Sequence, residues 1–174
     1  GGGGRAGGGG GGAGALGWSS AVLGHGTGAR VTIYAKELPP NVSSSLATGI
    51  WSPDSRICLE QHATPAFKQL WADMARVSYG AYQNFLGLPG TPVEYVDTYF
   101  VADEPSSMRR RRAADTRPPF AELQQELIGD LVSQSTDFAP GSHSLGARYL
   151  SRNSLMMFNL SAYTRVLVGD FIAN

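Results

Sequence analysis

Apolar residues recur at helical spacing most clearly over residues 64–85, where Phe67, Leu70, Trp71, Met74, Val77, Ala81, Tyr82 and Phe85 share one face. Thr64 is placed to cap that helix, and Pro65 suits its first position, where an N–H would have no helical partner anyway. Gly87 and Pro89 end it. A face this periodic is expected to bury itself against a sheet. The other patterns are shorter. Val31-Thr32-Ile33-Tyr34-Ala35 is a β-branched run suited to a buried strand. Residues 93–101 read as a strand with mixed faces. Leu123, Leu127, Ile128 and Leu131 make a short amphipathic segment within 120–132. Arg148-Tyr149-Leu150 and Leu155-Met156-Met157-Phe158 read as two further strands. Ser161 can cap a last helix through Tyr163, Val166, Leu167 and Phe171.

Ahead of these lies a stretch of almost pure glycine, residues 1–12, broken only by Arg5 and Ala6. Its end reads G-x-G-x-x-G through Gly12, Gly14 and Gly17, followed by Leu16, Ser20 and Leu23 at helical spacing. At a strand-to-helix turn each glycine has a separate task. Gly12 permits the tight turn, Gly14 lets the backbone approach a pyrophosphate, and Gly17 allows the helix to pack closely on its strand. The helix N-terminus then offers unpaired N–H groups to the phosphate charge. Within a glycine run such a match also arises by composition, so a glycine-rich linker before a globular core is the competing reading.

A first strand built of glycine contributes no side chains to a core and costs roughly 0.5–1 kcal/mol per position against alanine. Either the segment is a disordered tail, or some of its glycines stand for other residues. The motif downstream presupposes a strand and favours the second. Residues 7–12 are therefore expected beside 31–35 in a parallel sheet. Glu37 follows Gly17 by about 20 residues, where a carboxylate for ribose hydroxyls is expected.

Charge narrows the function classes. Fourteen basic and fourteen acidic side chains cancel, so no overall field argues for nucleic acid or an anionic membrane. Arg109-Arg110-Arg111-Arg112 lacks interleaved aromatics and reads as a solvated loop. The single cysteine, Cys58, sits between Ile57 and Leu59; it permits no internal disulfide and reads as a buried thiol in a reducing compartment. His143 lies in a loop opened by Pro140-Gly141 and reads as a surface or hydrogen-bonded residue. No metal site is expected, because no cysteine or carboxylate cluster at ligand spacing accompanies it. No apolar stretch approaches the ~20 residues of a membrane span. With no signal-peptide core and no C-terminal address in the chain, the expected location is cytoplasmic, or peroxisomal in a eukaryote.

Residues 38–53 combine Pro39-Pro40, the hydroxyls Ser43-Ser44-Ser45, and Gly49 flanked by apolar residues. Short donors of this kind suit a diphosphate or the edge of a heteroaromatic ring; an ordinary surface loop with a hydroxyl cap is the alternative. Ile33-Tyr34-Ala35-Lys36-Glu37-Leu38-Pro39-Pro40-Asn41-Val42-Ser43-Ser44, followed by Ala47-Thr48-Gly49-Ile50-Trp51-Ser52-Pro53, resembles the N-terminal part of D-amino-acid oxidases and related FAD-dependent oxidoreductases. There the second strand ends in a basic–acidic pair, and a Pro-containing hydroxyl loop precedes a Gly-Leu-Trp-like turn against the flavin.

The resemblance implies an α/β fold: a Rossmann-like FAD-binding domain with a parallel sheet, then the start of an antiparallel substrate domain. The expected division is 1–90 for FAD binding, 91–160 for partial substrate-domain strands, and 161–174 for a helix returning to the first domain. The chain then corresponds to roughly the N-terminal half of an oxidase. Carried onto this sequence, Gly12, Gly14 and Gly17 lie at the pyrophosphate with the Ala15 and Leu16 backbone beside them. Glu37 takes the ribose hydroxyls, Ser43 and Ser44 match the family's hydroxyl pair, and Thr48, Gly49 and Ile50 match the turn against the isoalloxazine ring. Gly49 would bring main-chain N–H groups to the polar edge of the ring, unless it merely meets a positive φ. Lys36 departs from members that carry an acid at its position. The implied activity is oxidation of a D-amino acid, with oxygen reoxidising FAD; the products are a 2-oxo acid, ammonia and hydrogen peroxide. A homodimer fits the same picture. The competing readings are a non-catalytic nucleotide-binding fragment and an NAD(P)-linked enzyme, for which Lys36 would meet a 2′-phosphate.

Overall fold

A computed structural model describes residues 9–11, 13–47, 49–53, 57–105 and 120–173. Its elements are β1 (Gly9–Gly11), α1 (Ala15–Gly26), β2 (Thr32–Tyr34), two 3-10 turns (Ser43–Leu46 and Glu60–His62), α2 (Pro65–Gln83), β3 (Val93–Ala102), α3 (Leu123–Ile128), β4 (Thr136–Phe138), β5 (Tyr149–Phe158) and α4 (Leu160–Ala173). Two compact units form. The first comprises Gly1–Ile50, Phe85–Glu94 and Met157–Asn174; the second comprises Trp51–Asn84 and Tyr95–Met156.

In the first unit β1 pairs with β2 in parallel, Gly9 opposite Thr32, Gly10 opposite Ile33 and Gly11 opposite Tyr34. The glycine segment therefore holds a strand position through backbone hydrogen bonding alone. That sheet has only these two strands among the described residues, so a full Rossmann sheet is not seen. α1 buries a different face from the one its leucines mark. Leu16 and Leu23 are 82% and 73% exposed, while Trp18 and Ala21 are buried. Trp18 meets Phe171 of α4 edge-on, with ring centroids 5.5 Å apart, and Ser19 Oγ lies 3.2 Å from the Tyr163 hydroxyl. Tyr163 is buried and takes edge contacts from Phe85 and Phe158. Asn159 caps α4: its Oδ1 accepts from the Ala162 N–H at 3.2 Å.

In the second unit α2 begins as its sequence dictates. Thr64 is extended and its Oγ1 accepts from the Phe67 N–H at 3.2 Å, with Pro65 in the first turn. The helix ends at Gln83; Gly87, at φ +75°, shapes the connection three residues past the Asn84 cap rather than the helix end itself. The buried side of α2 is Trp71, Ala72 and Ala75, which pack with Ala121, Leu123 and Ile128; Phe67 and Trp51 close over this cluster. Leu70, Met74 and Val77, expected to face inward, are exposed. The sheet has the order β3-β5-β4, with β4 and β5 antiparallel in the register Asp137 opposite Ser151. β3 and β5 pass through both units.

Arg76 ties α2 to α3. Its two terminal nitrogens each donate to Asp130 at 2.8 Å, and Nη2 also donates to the Leu127 carbonyl at 2.9 Å. The paired guanidinium lowers the Asp130 carboxyl below its ordinary 3.8, against a smaller opposing effect of burial. A carboxyl lowered in the fold adds stability above its unfolded pKa and loses it as the pH falls through the folded one. Both side chains are exposed, so the effect is small. Asp130→Asn is expected to flatten the decline in urea midpoint below the 3.8 range. Superimposable pH profiles for the two proteins would remove this role.

Candidate functional site

The turn from β1 into α1 is where a phosphate-binding arrangement can form. Gly14 stands at the N-cap with an extended backbone and no side chain to cap the helix, and its carbonyl accepts from the Trp18 N–H at 3.1 Å. The first N–H groups of a helix have no partners within it and carry partial positive charge. Here the Ala15 N–H donates to Ser44 Oγ at 3.1 Å, from the 3-10 turn 29 residues away. A Cβ on Gly14 would lie 2.5 Å from Ser44 Oγ. A side chain at Gly14 would meet no unusual φ, but it would have to turn the Ser44 hydroxyl away from the Ala15 N–H. A hydroxyl both donates and accepts, so Ser44 and the α1 amides together can face an anionic oxygen.

Gly49 and Ile50 run antiparallel to the end of β5. The Phe158 N–H donates to the Gly49 carbonyl, Ile50 is bridged to Met157, and the Trp51 N–H donates to the Met156 carbonyl at 2.9 Å. A Cβ on Gly49 would sit 2.2 Å from the Phe158 carbonyl oxygen and 2.9 Å from its Cβ. Among the described glycines positive φ belongs to Gly28, Gly87, Gly90 and Gly141, not Gly49. The positive-φ account of Gly49 therefore does not supply its reason; close passage of the protein's own strand requires the glycine here.

Gly12 and Thr48 lie outside the described residues. Leu16 projects outward from the first turn of α1, and Gly17 is half-buried beside it. Lys36, Glu37 and Ser43 are exposed, with Glu37 three residues past the end of β2. The structure thus brings Gly14, Ala15 and Ser44 into direct contact and seats Gly49 and Ile50 on β5. Sequence gave the run of hydroxyls at 43–45 but not which of them reaches the helix. Both ring nitrogens of His143 are buried without a hydrogen-bond partner, unlike the surface or bonded residue expected. Among the described residues no His, Cys, Asp or Glu group could hold a metal ion, and no helix is long and apolar enough to cross a membrane.

These features define a mixed α/β fold with a small antiparallel sheet. Glycine oxidase from Bacillus cereus ATCC 14579 has a similar fold, with a TM-score of 0.53 at 15% sequence identity. The similarity covers 93% of this chain and 42% of that one, so the chain spans less than half of the neighbour's length. No protein-family model matches the chain, and no curated protein matches it.

Proposed function

We propose that the chain is the nucleotide-binding part of an FAD-dependent amino-acid oxidoreductase, with D-amino acids as the substrates of the whole protein. The observation that carries this reading is the cradle at the start of α1, where Gly14 leaves room and Ser44 Oγ reaches the Ala15 N–H. Its donor set suits a pyrophosphate. The order of residues across 33–53 supports flavin rather than another dinucleotide, and a neighbour whose name is glycine oxidase accords with amino-acid oxidation. Bound FAD supplies the electron acceptor. The chain's own part is to hold it: Ser44, with Gly12, Gly14, Gly17 and the Ala15 and Leu16 backbone, at the phosphates; Glu37 at the ribose; and Ser43, Thr48, Gly49 and Ile50 along the remainder.

Titrating FAD into the purified chain, and following quenching of flavin fluorescence, tests this. Saturable binding is expected, and Glu37→Ala is expected to weaken it by about 1–3 kcal/mol, the scale of hydrogen bonds to a charged group. Affinity unchanged by Glu37→Ala would refute the ribose role. No FAD binding, with NADPH binding in its place, would replace the flavin reading by the NAD(P)-linked one.

A further inference from the structure

In the second unit three oxidisable side chains stand in line. The Trp51 and Tyr79 rings have centroids 4.9 Å apart at a 54° tilt, which is direct aromatic contact. The Tyr79 and Tyr95 hydroxyls are 2.7 Å apart, a short O–H···O bond. The indole Nε1–H of Trp51 donates to Ser78 Oγ at 3.3 Å, and Ser78 donates onward to the Ala75 carbonyl at 3.0 Å. Trp51 and Tyr79 are half-buried, whereas Tyr95 is 45% exposed. Partial burial, reinforced by the bond to Tyr79, pushes the Tyr95 phenol up to about 12, so Tyr95 keeps its proton at neutral pH.

Aromatic packing alone accounts for the ring contact but not for two phenols joined head to head at the surface. We infer that Trp51, Tyr79 and Tyr95 form a relay that carries a one-electron oxidation from Trp51 out to solvent at Tyr95. The oxidant is a radical of the class that hydrogen peroxide generates. It takes one electron from Trp51, and the indole Nε1–H proton is lost towards Ser78 and water. Tyr79 then returns an electron to Trp51 as its phenolic proton leaves; the indole regains a proton from water, so the oxidised site moves without net change in protons. In the next step the O–H bond of Tyr95 breaks and that of Tyr79 re-forms, one hydrogen atom passing across the 2.7 Å contact. A water-borne thiol restores Tyr95 by giving up its own hydrogen atom, and two thiyl radicals combine as a disulfide. Trp51 directly follows Ile50 in the chain, so on the flavin reading above it stands in sequence beside the source of peroxide. The geometry of the three rings does not depend on that reading.

Pulse radiolysis of the 174-residue chain with azide radicals, which oxidise tryptophan, tests the relay without any flavin. The tryptophanyl band is expected to decay as a tyrosyl band grows, at a rate independent of protein concentration. Trp51→Phe is expected to remove this fast phase, and Tyr79→Phe to slow it at least about tenfold, equal to about 1.4 kcal/mol in the barrier. Tyr95→Phe is expected to leave the first transfer intact while slowing repair of the tyrosyl radical by added thiol at least about tenfold. Near-UV circular dichroism of each variant checks that the ring cluster is retained. A fast phase that survives Trp51→Phe, is unchanged in Tyr79→Phe, or scales with protein concentration would overturn the inference. FAD binding, read by the separate titration, stands or falls independently.

Discussion

Trp71→Ala is expected to destabilise the second unit by about 3–5 kcal/mol, the usual cost of removing a large buried aromatic. Against a total of about 5–15 kcal/mol for a domain, that is a large share. The reason lies in what surrounds the indole. Trp71 is 5% exposed, and its neighbours on α2 in the core are Ala72 and Ala75, with Ala121 opposite. Alanine side chains cannot extend to fill the space an indole leaves, so the site collapses poorly and the cavity term is paid nearly in full. Leu123 and Ile128 are fully buried and held by the same cluster. Urea unfolding followed by circular dichroism measures the effect. A loss below about 1 kcal/mol would mean that the cluster repacks and that Trp71 is not its centre.

Gly49→Ala is expected to cost about 1–3 kcal/mol or more, the range for forcing atoms into a packed site. The added Cβ would stand 2.2 Å from the Phe158 carbonyl oxygen. Both sides of that clash are close to backbone, so no flexible side chain can swing away to relieve it. Relief requires Gly49-Ile50 to part from Met157-Phe158, breaking the Phe158 N–H to Gly49 carbonyl bond. Hydrogen exchange at the Phe158 amide is therefore expected to accelerate in the variant. Unaltered protection together with unaltered stability would show that the close passage is not tight. Any accompanying loss of FAD affinity would report this packing defect first. A direct flavin role for Gly49 has to be read instead from perturbation of its own amide on FAD titration.

Local features were legible in the sequence, and those made by distant parts of the chain were not. Thr64 and Pro65 announce the start of α2 because capping is settled within one turn. The inward face of the same helix is misread because apolar residues occupy more than one stripe. Leu70, Met74 and Val77 carry the stronger hydrophobic signal, yet the core takes Trp71, Ala72 and Ala75. Alanine gives periodicity little weight while allowing close packing. β1 has no strand signal at all, since glycine offers neither β-branching nor bulk; its place is fixed by pairing with Thr32–Tyr34. Of the candidate site, the glycine pattern and the serine run could be read. That Ser44, rather than Ser43 or Ser45, meets Ala15 depends on how the 3-10 turn Ser43–Leu46 is carried to the helix.

The contact of Trp18 with Phe171 also governs when the first unit can exist. α1 leaves the ribosome well before the helix that covers its buried face, because Phe171 follows Trp18 by 153 residues. At about 5–20 residues per second, the wait is on the order of ten seconds. Through that interval the nascent chain carries the indole of Trp18 uncovered by α4, while residues 51–84 and 95–156 emerge and can already pack with one another. Completion of the first unit is thus a late, non-local closure of the kind that folds slowly. A chaperone that shields apolar surface would have its clearest task on α1 before Phe171 appears.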